Sequence, residues 1–510
     1  MLSVIILMSF NACANRLPIP SNVVPSKFDI SSAQPKMALA PIDQKQLGDG
    51  RLRIYRLALA ATGEYTQYYG SKEKAMAAQI EAIERVNQLY EKELSIKFVI
   101  IPDNEKIVFT DPATDPYTVT NANQMMLQNQ KTIDAIIGTE NYDIGHLFFV
   151  HRNGDGISQN SGVCSTENKA QGVTGAAKPE GDAFYIDYIA HEMGHQVGAH
   201  HTMSNRCQQY PPTAVEPGSG STIMSYAGIC FPNVQEHNSP YFHSASLEEI
   251  LGFVTSESSA CARDAPVPGH WPHIDRMTSS ADIPVSTPFV LSAKASDTDG
   301  DDLTYCWEQM NANTDVPMPP RSSFTNGPLF RSFPPSNVGH RYFPLLEDLV
   351  TDESPRWQVL PSEDATLRFN LTVRDNAAGG GRITVASSQI NVHRSAGPFE
   401  IQNPEETTWI AGSEYVITWT VANTDKPPVN CGAVDILLSA DGGKTFDYTL
   451  ASNLPNNGTA TIKAPSLESE SAFVMVRAVH NIFFTVTNVP LTITAMARHG
   501  LPEKGPESRQ

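Results

Sequence analysis

A chain of 510 residues, 40% apolar and 18% charged, has the make-up of an ordinary globular protein and the length for about three domains. Its formal net charge of −19 argues against nucleic-acid binding, which needs a basic footprint. After the first residues, no segment is long and apolar enough to cross a bilayer.

Residues 1–14, MLSVIILMSFNACA, are a short apolar run ending in small residues and read as a signal peptide. Ala12-Cys13-Ala14 admits two outcomes. Cleavage after Ala14 gives a secreted, extracellular protein; a lipid anchor on Cys13 gives an outer-membrane or periplasmic lipoprotein. Phe10 fits a lipobox poorly and favours cleavage. Residues 15–50 are polar and proline-rich without sustained periodicity, and read as a linker or a propeptide remnant.

Regular elements are expected next. Residues 52–61 are an apolar opening strand. Residues 72–94 carry Met76, Ile80, Ile83, Val86, Leu89 and Tyr90 as a helical stripe. A strand over 96–101, a helix including 132–137 and a strand over 144–150 follow, so helices and strands alternate.

Residues 191–201 then read HEMGHQVGAHH. His191 and His195 are four apart, which puts both rings on one helix face. Glu192 stands where a carboxylate reaches a water held by those rings without being a ligand itself. Gly198 tolerates the left-handed turn that ends the helix and brings His201 round as a third ligand. Three protein ligands and an open position describe a catalytic zinc rather than a structural one. His200 is out of register and is expected to be exposed, while His146, His151 and His243 are expected to be structural. A methionine-bearing turn, Ser221-Thr-Ile-Met-Ser-Tyr226, follows.

The glycine-and-histidine motif with its methionine turn resembles the metzincin zinc endopeptidases, most closely the reprolysin (adamalysin) branch in a bacterial multidomain form. The resemblance covers roughly residues 51–264 and implies an α/β (α+β) catalytic domain that hydrolyses peptide bonds. Zn²⁺ would be held by His191, His195 and His201, with Glu192 as general base and Met224 packed beneath the ligands. Tyr226 would hydrogen-bond the developing oxyanion or occupy the metal. Two features depart from the reprolysin pattern. Thr202 stands where reprolysins have Asp, and Met-Ser-Tyr resembles serralysins and astacins. The resemblance also implies that residues 172–175, GVTG, form the edge strand above the cleft, and that Cys164 pairs with Cys261 and Cys207 with Cys230. Protein or peptide substrates and a monomer are expected. A binding protein or adhesin that uses this domain as a scaffold is the alternative, and an intact Glu192 argues against it.

Residues 246–249, SLEE, read as a capping box opening a helix. Residues 265–395 lose helical patterning and read as an all-β sandwich, with strands at 285–293, 303–308, 365–373 and 383–392. Asp297-Thr-Asp-Gly-Asp-Asp302 resembles turns of cadherin-like and PKD-type modules, and Asp297, Asp299 and Asp301 are candidate Ca²⁺ ligands. Residues 396–495 read as a second all-β sandwich, fibronectin- or immunoglobulin-like, with strands at 414–420, 433–438, 472–479 and 491–495. Residues 439–446 match a sialidase Asp-box, here a hairpin turn. Residues 496–510 are expected to be a disordered tail. Cys306 and Cys431 fall in different expected domains, which disfavours a bond between them and leaves buried thiols as the other reading; the sequence does not decide their pairing.

Overall fold

The computed structural model describes residues 42–152, 154–351 and 356–495. The expected leader, most of the expected linker and the C-terminal tail lie outside the described residues. Among the described residues no helix is long and apolar enough to cross a membrane.

The first unit is a sheet in the order Ile96–Ile100, Arg51–Ala61, Ile144–Val150, Gly172–Ala176 and Asp155–Ser158. The first four strands are parallel and the last is antiparallel. Strand periodicity divides Arg51–Ala61 between two cores. Tyr55, Leu57, Leu59 and Ala61 face one cluster, and Ala58 and Ala60 face the other. The first cluster packs the sheet against helix Lys72–Leu94, and the second packs it against helix Ala122–Ile136. Ser71 caps the long helix by accepting from the Lys74 amide, and Ser95 ends it in the left-handed region.

Three expectations are corrected here. The stripe on Lys72–Leu94 buries Ile83, Val86, Leu89 and Tyr90 and packs Met76 against the core as expected, but Ile80 is 48% exposed, and Ala75, Ala78 and Ala82 complete the buried face. Small side chains let the helix lie close to the sheet. Gly172–Ala176 is an inner strand, and the edge is Asp155–Ser158. The last helix is Ser244–Val254, capped by His243, and therefore starts before the expected box. The disulfides Cys164–Cys261 and Cys207–Cys230 are formed, while Cys306 and Cys431 are free and buried.

Residues 273–494 are almost wholly strands and turns. The sheet Gln44–Leu47, Ile383–His393, Ala365–Arg374, Thr304–Gln309 accompanies a three-stranded sheet of His340–Phe343, Phe289–Ser296 and His273–Met277. A further pair of sheets is built between Glu400 and Thr494. Most of the expected strands are present with ends shifted by a few residues, while the strand expected at 285–293 runs Phe289–Ser296. One apolar cluster runs from Ile274 to Ile493 through both pairs of sheets. Residues 44–47 were expected in a linker but form a strand in the first of these sheets. Arg263–Pro266, at the boundary between the expected catalytic domain and the expected sandwich, pairs antiparallel with Arg51–Ala61.

The β-rich part is docked on the first unit by polar groups. Arg374 Nε and Nη2 donate to Glu93 Oε1 and Oε2 at 2.9 and 3.0 Å, and both residues are buried. Arg374 Nη2 also donates to the Phe242 carbonyl. Glu308 Oε2 accepts the Ser244 amide at 2.8 Å. A buried charge left without its partner is costly, whereas a pair replaced together is not. Arg374→Met should therefore lower stability by about 3–5 kcal/mol in urea denaturation, and Glu93→Met/Arg374→Met should recover most of that loss. An unchanged midpoint in Arg374→Met would contradict this role.

Candidate metal centre

The six-residue helix His191–Gln196 follows a π-helical turn, Tyr185–Ala190. Its seat is made by polar contacts on its inner side. Gln196 Nε2 donates to the Gly145 carbonyl at 2.9 Å, and its Oε1 meets buried His146 Nδ1 at 2.8 Å. Tyr90 donates its hydroxyl to the Ala190 carbonyl at 2.6 Å. A Cβ on Gly194 would come within 2.5 Å of Met224 Sδ, so the methionine lies directly under the helix. Gly198 has φ +108°, and a Cβ there would meet Phe253 at 2.8 Å. That turn carries the chain back toward His201.

The three histidines are oriented alike. His191 Nδ1 faces the Ile223 carbonyl at 2.7 Å, His195 Nδ1 the Ala199 carbonyl at 2.8 Å and His201 Nδ1 the Gln208 carbonyl at 2.7 Å. A carbonyl only accepts, so each Nδ1 carries the proton and each Nε2 offers a lone pair. Those lone pairs point at one another: His195 Nε2 is 3.0 Å from His201 Nε2, which is 3.2 Å from His191 Nε2. Three acceptors cannot satisfy one another. Nitrogens about 2.0–2.1 Å from a tetrahedral zinc lie about 3.3 Å apart, so the donor set fits zinc. Burial holds the rings neutral, the form that binds metal. It lowers His191 to about 3, with His201 adding to the shift, and it also pulls His195 and His201 down.

Glu192 is buried beside the triad, and its Oε2 meets no partner among the described residues. Burial pushes its carboxyl up to about 8. Gly156 on the edge strand makes room for it, since a Cβ there would lie 2.5 Å from Glu192 Oε1. The Tyr226 ring centroid is 4.6 Å from that of His201 and 5.6 Å from that of His191. Its hydroxyl donates to Gln208 Oε1 at 3.2 Å, and burial holds its phenol well above the usual range.

His200 is no member of the cluster, and it is half-buried rather than exposed. Its ring stacks on Tyr210 at 3.8 Å, and Glu249 takes both its amide and its Nδ1 at 2.8 Å. Glu249 closes no capping box because the helix begins at Ser244, which leaves its side chain free for His200. Gln208, Ile223 and Ala199 escape sequence reasoning because they orient the ligands through backbone carbonyls. Carboxylate oxygens of Asp297, Asp299 and Asp301 lie within 4.8 Å of one another, but Asp299 is already engaged by the amide and ring of His270.

Residues 51–251 match the family model described as Metallo-peptidase family M12B Reprolysin-like, which is less than half of the chain. No curated protein matches the chain. Solved structures with similarity include a chaperone–substrate complex, at 12% identity and TM-score 0.26, covering 41% of this chain and 35% of that one. This chain thus spans about a third of that structure's length. Tandem Ig repeats of Dlar match at 10% identity and TM-score 0.25, covering 44% of this chain and 100% of that one. The chicken CNTN1 FN1–FN3 domains match at 7% identity and TM-score 0.19, covering 46% and 75%. At such TM-scores these likenesses carry no argument, and the all-β character rests on the strands themselves.

Gly198→Ala should strain the turn that holds the Ala199 carbonyl and weaken zinc binding by about 10- to 100-fold. Competition with a chromophoric chelator measures this, and an unchanged affinity would show that the turn does not seat His195.

Proposed function

We propose that residues 51–251 act as a zinc-dependent endopeptidase on protein or peptide substrates. The observation that carries this reading is the convergence of three Nε2 lone pairs whose Nδ1 protons are all committed to carbonyls. Zinc bound there supplies a Lewis acid that makes water nucleophilic near neutral pH and polarises a carbonyl.

The chain's own groups do the rest. Glu192 is the general base: the positive charge of a zinc ion beside it would offset the burial that raises its carboxyl and keep it ionised, and its oxygen without a described partner takes a proton from the attacking water and returns it to the departing amine. Tyr226, beside His201, is positioned to hydrogen-bond the developing oxyanion once its hydroxyl leaves Gln208. The strand Asp155–Ser158 has one edge unpaired among the described residues and carries Gly156 against Glu192, which suits an extended peptide added as a further strand. Two disulfides support export to an oxidising compartment.

Digestion of a denatured protein tests the reading. Glu192→Ala should retain zinc and lose about 10²- to 10⁴-fold in rate. Equal cleavage by wild type and Glu192→Ala would overturn it. Gly156→Ala, whose added Cβ meets the Glu192 carboxylate first, should keep full zinc content while turnover falls by up to about 10²-fold. Undiminished turnover in that variant would place the general base elsewhere.

A further inference from the structure

His201 lies outside the helix that carries the other two histidines, on a segment without regular structure. Something must hold that segment at a fixed distance from the helix. The group that stands out is Glu216, a carboxylate 1% exposed. Its Oε1 accepts from the Thr202 hydroxyl at 2.7 Å and from the Thr222 hydroxyl at 2.5 Å. Its Oε2 accepts the Ser221 amide at 2.8 Å and the Ser221 hydroxyl at 2.9 Å. All four donors are neutral. The backbone is tied in the same place: the Glu216 amide donates to the Thr202 carbonyl, Ser204 donates to the Glu216 carbonyl, and Thr202 donates to the Met224 carbonyl.

The donors come from the two segments that seat two of the ligands. Thr202 directly follows His201. Ser221 and Thr222 directly precede Ile223, whose carbonyl holds His191 Nδ1. A buried carboxylate is costly unless its lone pairs are filled, and it is a poor choice where an apolar side chain would serve for packing alone. What it adds is direction, because four charge-assisted hydrogen bonds fix both segments against one group. The network continues into the β-rich part: Ser221 Oγ lies 3.2 Å from the Ser332 carbonyl, and Ser332 donates its hydroxyl to Glu308 Oε1 at 2.6 Å.

We propose that Glu216 is a positioning residue of the metal centre, holding the His201 segment against the methionine turn so that the His191 and His201 nitrogens converge. This rests on the zinc reading above, and the test separates the two. Zinc affinity of the full chain is measured by chelator competition, and ligand geometry by the visible absorption of the Co²⁺-substituted protein. Glu216→Ala should bind zinc about 10- to 100-fold more weakly, with an altered Co²⁺ spectrum, an unchanged far-UV spectrum and a fall in kcat rather than a rise in KM. Thr202→Asp/Glu216→Ala gives up the Thr202 donor but supplies a carboxylate on the His201 segment within reach of Thr222, whose hydroxyl lies 3.5 Å from that of Thr202, and should recover part of the affinity and the spectrum. Wild-type affinity and spectrum in Glu216→Ala would overturn the proposal, as would a double variant no better than the single. If Glu216→Ala does not fold, Thr202→Val removes one donor and should still weaken zinc binding several-fold; wild-type affinity there overturns the proposal. A wild-type chain that takes up no zinc refutes the parent reading instead.

Discussion

Everything at this centre follows from a commitment of protons. Each of the three imidazoles gives its Nδ1–H to a backbone carbonyl, and each is buried deeply enough to stay neutral. The remaining nitrogens are then acceptors packed about as close as donors and acceptors would be. A shared cation would reconcile that geometry with its electrostatics.

The carbonyls come from three separate pieces of chain, and each piece has its own restraint. Ala199 sits on the turn that Gly198 makes possible. Ile223 belongs to the methionine turn, with Met224 against Gly194. Gln208 is next to Cys207, which is bonded to Cys230. The β-rich part supports the same region rather than hanging from it. Ser332 meets Ser221 and Tyr241, and the Arg374–Glu93 pair anchors the long helix whose Tyr90 holds the start of the ligand helix. The N-terminal strand Gln44–Leu47 crosses to the β-rich sheet before the chain enters the first unit, so the two parts are interleaved.

What could be read from the sequence was what side-chain spacing encodes. His191 and His195 one helical turn apart, the glycine that frees the turn and the third histidine all advertise themselves by residue type. The cysteine pairs came by family resemblance, and the buried strands by apolar runs. The rest is carried by groups without a sequence signature. Backbone carbonyls at Ala199, Gln208 and Ile223 look like any other. Glu216 is fourteen residues from Thr202 and takes its meaning only from the fold. Gln44–Leu47, QKQL, pairs through its backbone at a sheet edge and so shows no apolar pattern. The edge strand, Asp155–Ser158, is equally unmarked, and the expectation settled on its glycine-rich inner neighbour. Glu249 has the spacing of a capping box, but the helix starts at Ser244 with His243 as its cap, and Glu249 bonds His200 instead.

The central claim is most directly tested by anomalous diffraction at the zinc absorption edge from crystals of the full chain. A single peak about 2.0–2.1 Å from Nε2 of His191, His195 and His201 is the predicted result. Absence of a peak between those nitrogens in protein purified with zinc present, or a peak only elsewhere, would contradict it.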